Sequence, residues 1–284
     1  AGPLYLADFF SWSVAYFWMA VCMAVGIVTT LLINEPVHTR DEATQQIESQ
    51  VTGFMAGHAG QWEPLKRMAG WFGSAVIAPF AEFFRRNGSF ALVLLALIMT
   101  FNISDRVLGI MANPFYLDIG FTKTQVASVA KVFGFFMTII GAVVGGVLVA
   151  RYGTLRTMLL AAIMLALTNL MFAWLAVVGA DVRYLMLTIS GDNLSVGLAG
   201  VAFISYLSSL TNQAYTATQY ALFSSLMSVI GKFISGWSGV VVEAWGYMWF
   251  FVYASATGIP AILLIMLVMR HEARTGETAT PKES

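Results

Sequence analysis

Between residues 88 and 270 the chain is a series of six long apolar runs set almost end to end. They fall at roughly 89–113, 124–149, 155–178, 184–209, 217–242 and 247–269, and a seventh, 14–33, stands ahead of them. About 20 mostly apolar residues are what a helix needs to cross the hydrocarbon core of a bilayer. Inside lipid each backbone N–H and C=O must be satisfied within the span itself, so runs of this length resolve into helices. The expectation is an all-α, polytopic membrane protein with seven spans. Composition agrees: 58% of residues are hydrophobic and 11% charged, where a soluble domain carries about 25% charge. The formal net charge is zero, so nothing draws the chain to nucleic acid and none is expected as a partner. Membrane lipid is.

Lysine and arginine in the loops set the orientation, because cytoplasmic loops retain them. Arg40, Lys66, Arg67, Arg85, Arg86, Arg151, Arg156, Arg270, Arg274 and Lys282 fall on one side of the seven spans, and only Lys123 and Arg183 on the other. The long segment 34–87 and the C-terminus are therefore expected in the cytoplasm and residue 1 outside. The opening AGPLYLADFF has no basic n-region and no cleavage site. It reads as the tail of an earlier span, so the chain is expected to be part of a longer protein.

Segment 34–87 is polar but patterned. Ile47, Val51, Phe54 and Met55 recur at helical spacing, and so do Trp62, Leu65, Met68 with Ala69, Phe72 and Val76. This predicts amphipathic helices on the membrane surface, broken at Pro64 and Pro79. The divisions expected are 1–33, holding the helix 14–33; the linker 34–87; a six-helix bundle, 88–270; and a tail, 271–284, that ends in the disordered TGETATPKES.

Five ionisable residues lie inside the spans: Asp105, Arg106, Lys131, Asp192 and Lys232. A charge at mid-bilayer costs at least a few kcal/mol, so each needs a partner or a wet cavity. Counted from the outer ends of their spans, they lie roughly 10–15 Å deep. Charges from four helices at one level predict a shared polar chamber rather than scattered structural ion pairs. Asn102, Asp105, Arg106 and Gly109 share a helix face by spacing. Asn193 adjoins Asp192, and Gln219 sits near the start of the next span. Three cations against two carboxylates suit an anionic or zwitterionic solute.

Gly141 and Gly145 in GAVVGG, and Ser228, Gly231, Ser235, Gly236 and Gly239 in SVIGKFISGWSG, predict close helix approach. Lone Cys22 is expected to be a small core residue. His38, His58 and His271 are far apart in polar segments, and no P-loop is present. Neither a metal nor any other cofactor is expected. With no Ser/His pair, no metal-ligand motif and no histidine inside a span, an intramembrane enzyme is not expected either.

GGVLVARYGTLR (145–156) resembles the cytoplasmic loop signature of the major facilitator superfamily: Gly145, Arg151, Gly153 and Arg156 fit, while Ala150 stands where the signature has Asp. Longer stretches resemble the AmpG muropeptide permeases: VIAPFAEFFRRN, AKVFGFFMTIIGAVVGGVLVAR, DNLSVGLAGVAF, TATQYALFSSL and VVEAWGY. They match in order and spacing from about that family's sixth helix to its twelfth. The resemblance implies a major facilitator fold, here the C-terminal six-helix half plus the preceding helix, with the N-terminal half missing and 34–87 as the linker between halves. It implies a multi-pass protein of the bacterial inner membrane, a secondary active transporter. Such a permease imports GlcNAc-anhydro-MurNAc, with or without peptide, by proton symport for peptidoglycan recycling, and so feeds β-lactamase induction. By position, Asp105 and Lys131 fall on the family's Asp and Lys, Asp192-Asn193 on its Glu-Asn, and Lys232 on an Arg. Asn102 stands where a Lys is usual, and Arg106 where a small residue is.

On this reading Asp105, Asp192 and Lys131 carry proton coupling. Asn102, Arg106, Lys131, Asn193, Gln219 and Lys232 contact the solute, and the two halves alternate access. The alternatives are another amphipathic anion as cargo, such as an acyl-CoA, or a membrane sensor or scaffold that transports nothing.

Overall fold

A computed structural model of the chain describes residues 11–32, 46–47, 49–53, 63–212 and 215–276; among these there are helices and turns and no strand. The chain divides into two compact units, Ala1–Arg40 and Asp41–Ser284. The first holds α1 (Trp12–Leu32), apolar on every side. Nearly all its side chains are exposed, Ala15 being the buried exception. That is the surface of a helix meant for lipid or for other helices. Cys22, on α1, is exposed rather than a core residue.

The second unit opens with α2 (Glu63–Phe72) and α3 (Ala78–Asn87), joined through a π-helical turn, Gly73–Ile77. Pro79 does not break this segment as the sequence reading expects, while the residues ahead of Pro64, 54–62, lie outside the described residues. Pro64 is the second residue of α2, and Pro79 sits in the first turn of α3. Proline is tolerated in a first turn because the N–H it lacks has no helical partner there. The π turn widens the hydrogen-bond register just before Pro79, with Ala78 N–H donating to Gly73 O. Gly88, with φ of 56°, ends α3 in a conformation side chains avoid. Ile47 and Val51 pack beside Ala78, while Met68 and Phe72 are exposed. Phe54, Met55 and Trp62 lie outside the described residues.

The bundle follows. α4 (Ala91–Thr100) and α5 (Ile103–Asp118) form one span interrupted at Phe101 and Asn102. α6 (Lys123–Val126) runs through a second π turn, Ala127–Phe133, into α7 (Gly134–Tyr152). Then come α8 (Thr154–Val178), α9 (Val182–Leu210), α10 (Thr216–Ser235), α11 (Ser238–Ala256) and α12 (Ile259–Thr275). α11 is kinked at Gly246, where φ is 75°. The last two expected spans therefore correspond to α10 with the start of α11, and to the rest of α11 with α12.

Six described stretches are long and apolar enough to cross a membrane, against seven expected. The one that falls short is α10. Its Thr216, Gln219, Ser224, Ser225, Ser228 and Lys232 dilute its apolar character, as suits a helix with one polar face.

Two apolar cores run along the bundle. One gathers Phe83, Phe101, Met158, Phe203 and Phe223, with Phe101 stacked on Phe203 at 4.9 Å between centroids. The other is aromatic, built on Phe115, Phe172, Phe250 and Phe251. α7 and α9 pack closest. A Cβ added to Gly141 would fall on the carbonyl of Leu194, and one added to Gly197 on that of Thr138. Gly145 lies against Leu198, whose Cα would stand 2.9 Å from an added Cβ. The expected close approach at Gly141 and Gly145 is present, and Gly197 is its counterpart on the facing helix.

Candidate functional site

The interruption between α4 and α5 builds the site. Asn102, with φ of −100° and ψ of 9°, leaves helical geometry just before α5 begins. Its side chain does not cap that helix; Nδ2 reaches across to Met227 Sδ on α10 at 3.3 Å. The residues that follow start a new helix, with Arg106 N–H donating to Asn102 O at 3.1 Å. Asn102, Asp105 and Arg106 thus form one wall of a cavity of about 310 Å³, and Leu165 of α8 with Val196, Ala199 and Gly200 of α9 form the other. Asp192 lies on α9 one helical turn before Val196 and is not part of the lining. Gly109, on the same face by spacing, is exposed.

Arg106 is held by packing. Its Cδ occupies the place a Cβ on Gly231 of α10 would need, and its Nε is buried without a hydrogen-bond partner. Among the described residues no ion pair joins Asp105, Arg106, Lys131, Asp192 or Lys232. Charges that merely fixed helix packing would be paired directly. Of the five, Asp105 and Arg106 face a common space instead. A water molecule's share of liquid volume is about 30 Å³, so the cavity has room for about ten waters, at the small end of ligand pockets.

The other residues singled out from sequence lie elsewhere. Lys131, in the π turn before α7, and Lys232, on α10, are exposed and do not line the cavity. Asn193 sits in the seam between α7 and α9: its Oδ1 accepts from Thr138 Oγ1 at 3.0 Å, its Nδ2 donates to Ile189 O at 3.0 Å, and Gly134 packs on its amide. Gln219 belongs to a separate buried cluster. Its Nε2 donates to Glu82 Oε2 at 2.7 Å and to Pro79 O at 3.0 Å, and its Oε1 accepts from Asn212 N–H at 2.8 Å. Glu82 Oε1 also accepts from Asn212 Nδ2 at 2.9 Å and lies 3.7 Å from Arg86 Nε. Arg86 Nη2 donates to Leu210 O. This cluster ties α3 to the connection between α9 and α10.

In the loop signature, Gly145 is buried at the α7–α9 seam, while Arg151 and Arg156 are exposed. Gly153, at φ 85°, is the single residue between α7 and α8 and makes that tight reversal possible. Arg151 stacks over the Tyr152 ring. Sequence reasoning gave no role to Ser104 or Asn169. Both are almost wholly buried and bonded to each other at 2.6 Å. A side-chain amide in mid-span was the available signal for Asn169.

Comparison with known proteins adds the following. The family model described as Major Facilitator Superfamily matches residues 1–236. A Rickettsia felis protein named "Putative transporter AmpG 4" is 29% identical over 268 residues, 94% of this chain and 59% of that protein. An Escherichia coli K12 protein named "Anhydromuropeptide permease" is 27% identical over 266 residues, 93% of this chain and 48% of that protein. A Haemophilus influenzae protein without an assigned function is 29% identical over 286 residues, 98% of this chain and 61% of that protein. The chain spans about half to three-fifths of the length of these relatives.

Proposed function

The chain belongs to the major facilitator superfamily, and from that premise we propose that it is the later part of a proton-driven importer of cell-wall muropeptides in the bacterial inner membrane. The observation that carries the reading is the cavity at the interrupted span, lined by Asp105 and Arg106, with Asp192 one helical turn from the wall residue Val196 and none of the three in a direct ion pair. A carboxylate in such a place is costly when charged and cheap when neutral. Its protonation therefore changes the cost of turning the site from one side of the membrane to the other. Asp105 and Asp192 exchange the proton, and Arg106 offsets whichever carboxylate is ionised. At 310 Å³ the cavity suits water and protons better than a disaccharide bearing a peptide. The cargo then lies on the exposed side of the bundle, where Lys131 and Lys232 meet its carboxylates and a preceding six-helix half supplies the opposite wall. Similarity to the E. coli permease supports muropeptide as the cargo. Segment 34–87 and the C-terminus face the cytoplasm.

The test uses the full-length protein in proteoliposomes with an inward proton gradient. Uptake of radiolabelled GlcNAc-anhydro-MurNAc-tripeptide that a protonophore abolishes supports the proposal. No uptake by folded protein overturns muropeptide as cargo and turns the search to other amphipathic anions.

A further inference from the structure

Three spans of the bundle are interrupted, one of them at Gly236 and Trp237 between α10 and α11, and the other two interruptions meet. One is at Phe101 and Asn102; the other is at Thr257 and Gly258, between α11 and α12. In an unbroken helix the carbonyl of Ala254 would accept from the N–H of residue 258. Gly258 N–H donates to Ser255 O instead, at 3.0 Å. The freed carbonyl of Ala254 accepts from Ser104 Oγ at 2.9 Å and from Thr257 Oγ1 at 2.7 Å. Ser104 Oγ in turn accepts from Asn169 Nδ2 of α8 at 2.6 Å. Ser255 Oγ closes the group by donating to Ala166 O of α8 at 2.8 Å. Gly258 packs against Ser104, whose Cβ would stand 3.5 Å from an added Cβ.

Polar atoms are costly at this depth, and hydrogen bonds between helices recover only part of that cost. An all-apolar junction would hold three helices together as well. What the polar junction adds is direction. Ser104 precedes Asp105 and Arg106 in the first turn of α5, and Asn169 lies one turn along α8 from Leu165. All three of these neighbours line the cavity.

We propose that Asn169 and Ser104 are positioning residues: together they fix the start of α5 so that Asn102, Asp105 and Arg106 are presented to the cavity. This rests on the proposed role of that cavity. The second interruption serves the first, since it frees the carbonyl that anchors Ser104. Neither residue touches cargo or carries the proton.

The experiment reads the cavity without cargo or a proton gradient. In full-length protein free of other cysteines, including Cys22→Ser, the substitution Gly200→Cys places a thiol on the cavity wall, where an added Cβ meets open space. Its rate of reaction with a charged methanethiosulfonate, which forms a mixed disulfide and releases methanesulfinate, is followed against pH and reports the surroundings that Asp105 and Arg106 create. Asn169→Leu and Ser104→Ala are each expected to change that rate about fivefold or more, and the double variant no more than the larger single, as members of one network do. Thr168→Val is the control; its hydroxyl bonds within its own helix, to Leu165 O. It is expected to leave the rate unchanged. Unchanged rates in folded variants of lowered thermal stability, or single effects that multiply in the double variant, would overturn the proposal and leave the junction a packing device. If Asn169→Leu does not fold, Ser104→Ala, the smaller deletion, decides. Failure of muropeptide uptake in the parent protein does not bear on this readout.

Discussion

Gly141→Ala and Gly197→Ala test whether the α7–α9 seam is held by backbone contact. The methyl group added at Gly141 meets the Leu194 carbonyl, and the one added at Gly197 meets the Thr138 carbonyl, with Ala142 N 2.8 Å away. Backbone atoms cannot rotate aside, so the helices must move apart. Forcing a methyl group into a packed interior costs about 1–3 kcal/mol. With both collisions against backbone, the upper half of that range applies, about 2–3 kcal/mol. Alanine's higher helix propensity returns somewhat less than about 1 kcal/mol. A chain of this size loses about 2–4 °C of melting temperature per kcal/mol, so each variant is expected to melt about 3–10 °C below the parent in detergent. Once the seam has opened for one methyl group the second costs less, and the double variant should fall short of the sum. Gly146→Ala, with nothing within 4 Å of the added Cβ, should melt at or slightly above the parent temperature. If Gly141→Ala is as stable as Gly146→Ala, the seam is looser than the structure has it and the reasoning fails.

Other consequences follow from named contacts. Glu82→Ala removes the acceptor shared by Gln219 and Asn212. It should cost about 1–3 kcal/mol, as loss of a charged acceptor from a buried amide does, and speed hydrogen exchange at residues 215–219 before the rest of the bundle. Gly231→Ala displaces Arg106 from its groove. It should lower proton-coupled uptake at least tenfold in full-length protein that remains folded; unchanged uptake would mean the arginine's place is immaterial. Tyr247→Phe loses the bond from the half-buried Tyr247 to the exposed Asp118, 2.5 Å long. It should cost about 1 kcal/mol or less in thermal unfolding.

The spans were legible because apolar length is a physical requirement of the bilayer, and the Gly141–Gly145 seam because small residues four apart leave a groove. Asp105 and Arg106 stood out for the same reason in reverse, as charges where charge is costly. What sequence could not supply was direction. Lys131 and Lys232 lie at the same reckoned depth as Asp105, yet they are exposed, because counting residues along a span gives height but not the side of the helix on which a residue falls. Gln219 near a span's start looked like a solute contact, whereas its amide is engaged by Glu82, Pro79 and Asn212. That partnership joins positions 137 residues apart in the chain and leaves no periodic trace. The interruption at Asn102 was hidden too, since Thr100, Phe101 and Asn102 are compatible with a continuous helix until Asn102 binds Met227. Pro79 misled because a proline that opens a helix and one that breaks it look alike without the preceding π turn.

The most direct test of the account is Asp105→Asn in the full-length protein, comparing proton-driven accumulation of labelled muropeptide with its exchange across vesicles at equal concentration on both sides. The account predicts that accumulation is lost while exchange persists, because the site can still reorient once its carboxylate is permanently neutral. Accumulation to the parental level would contradict it and remove Asp105 from the coupling mechanism.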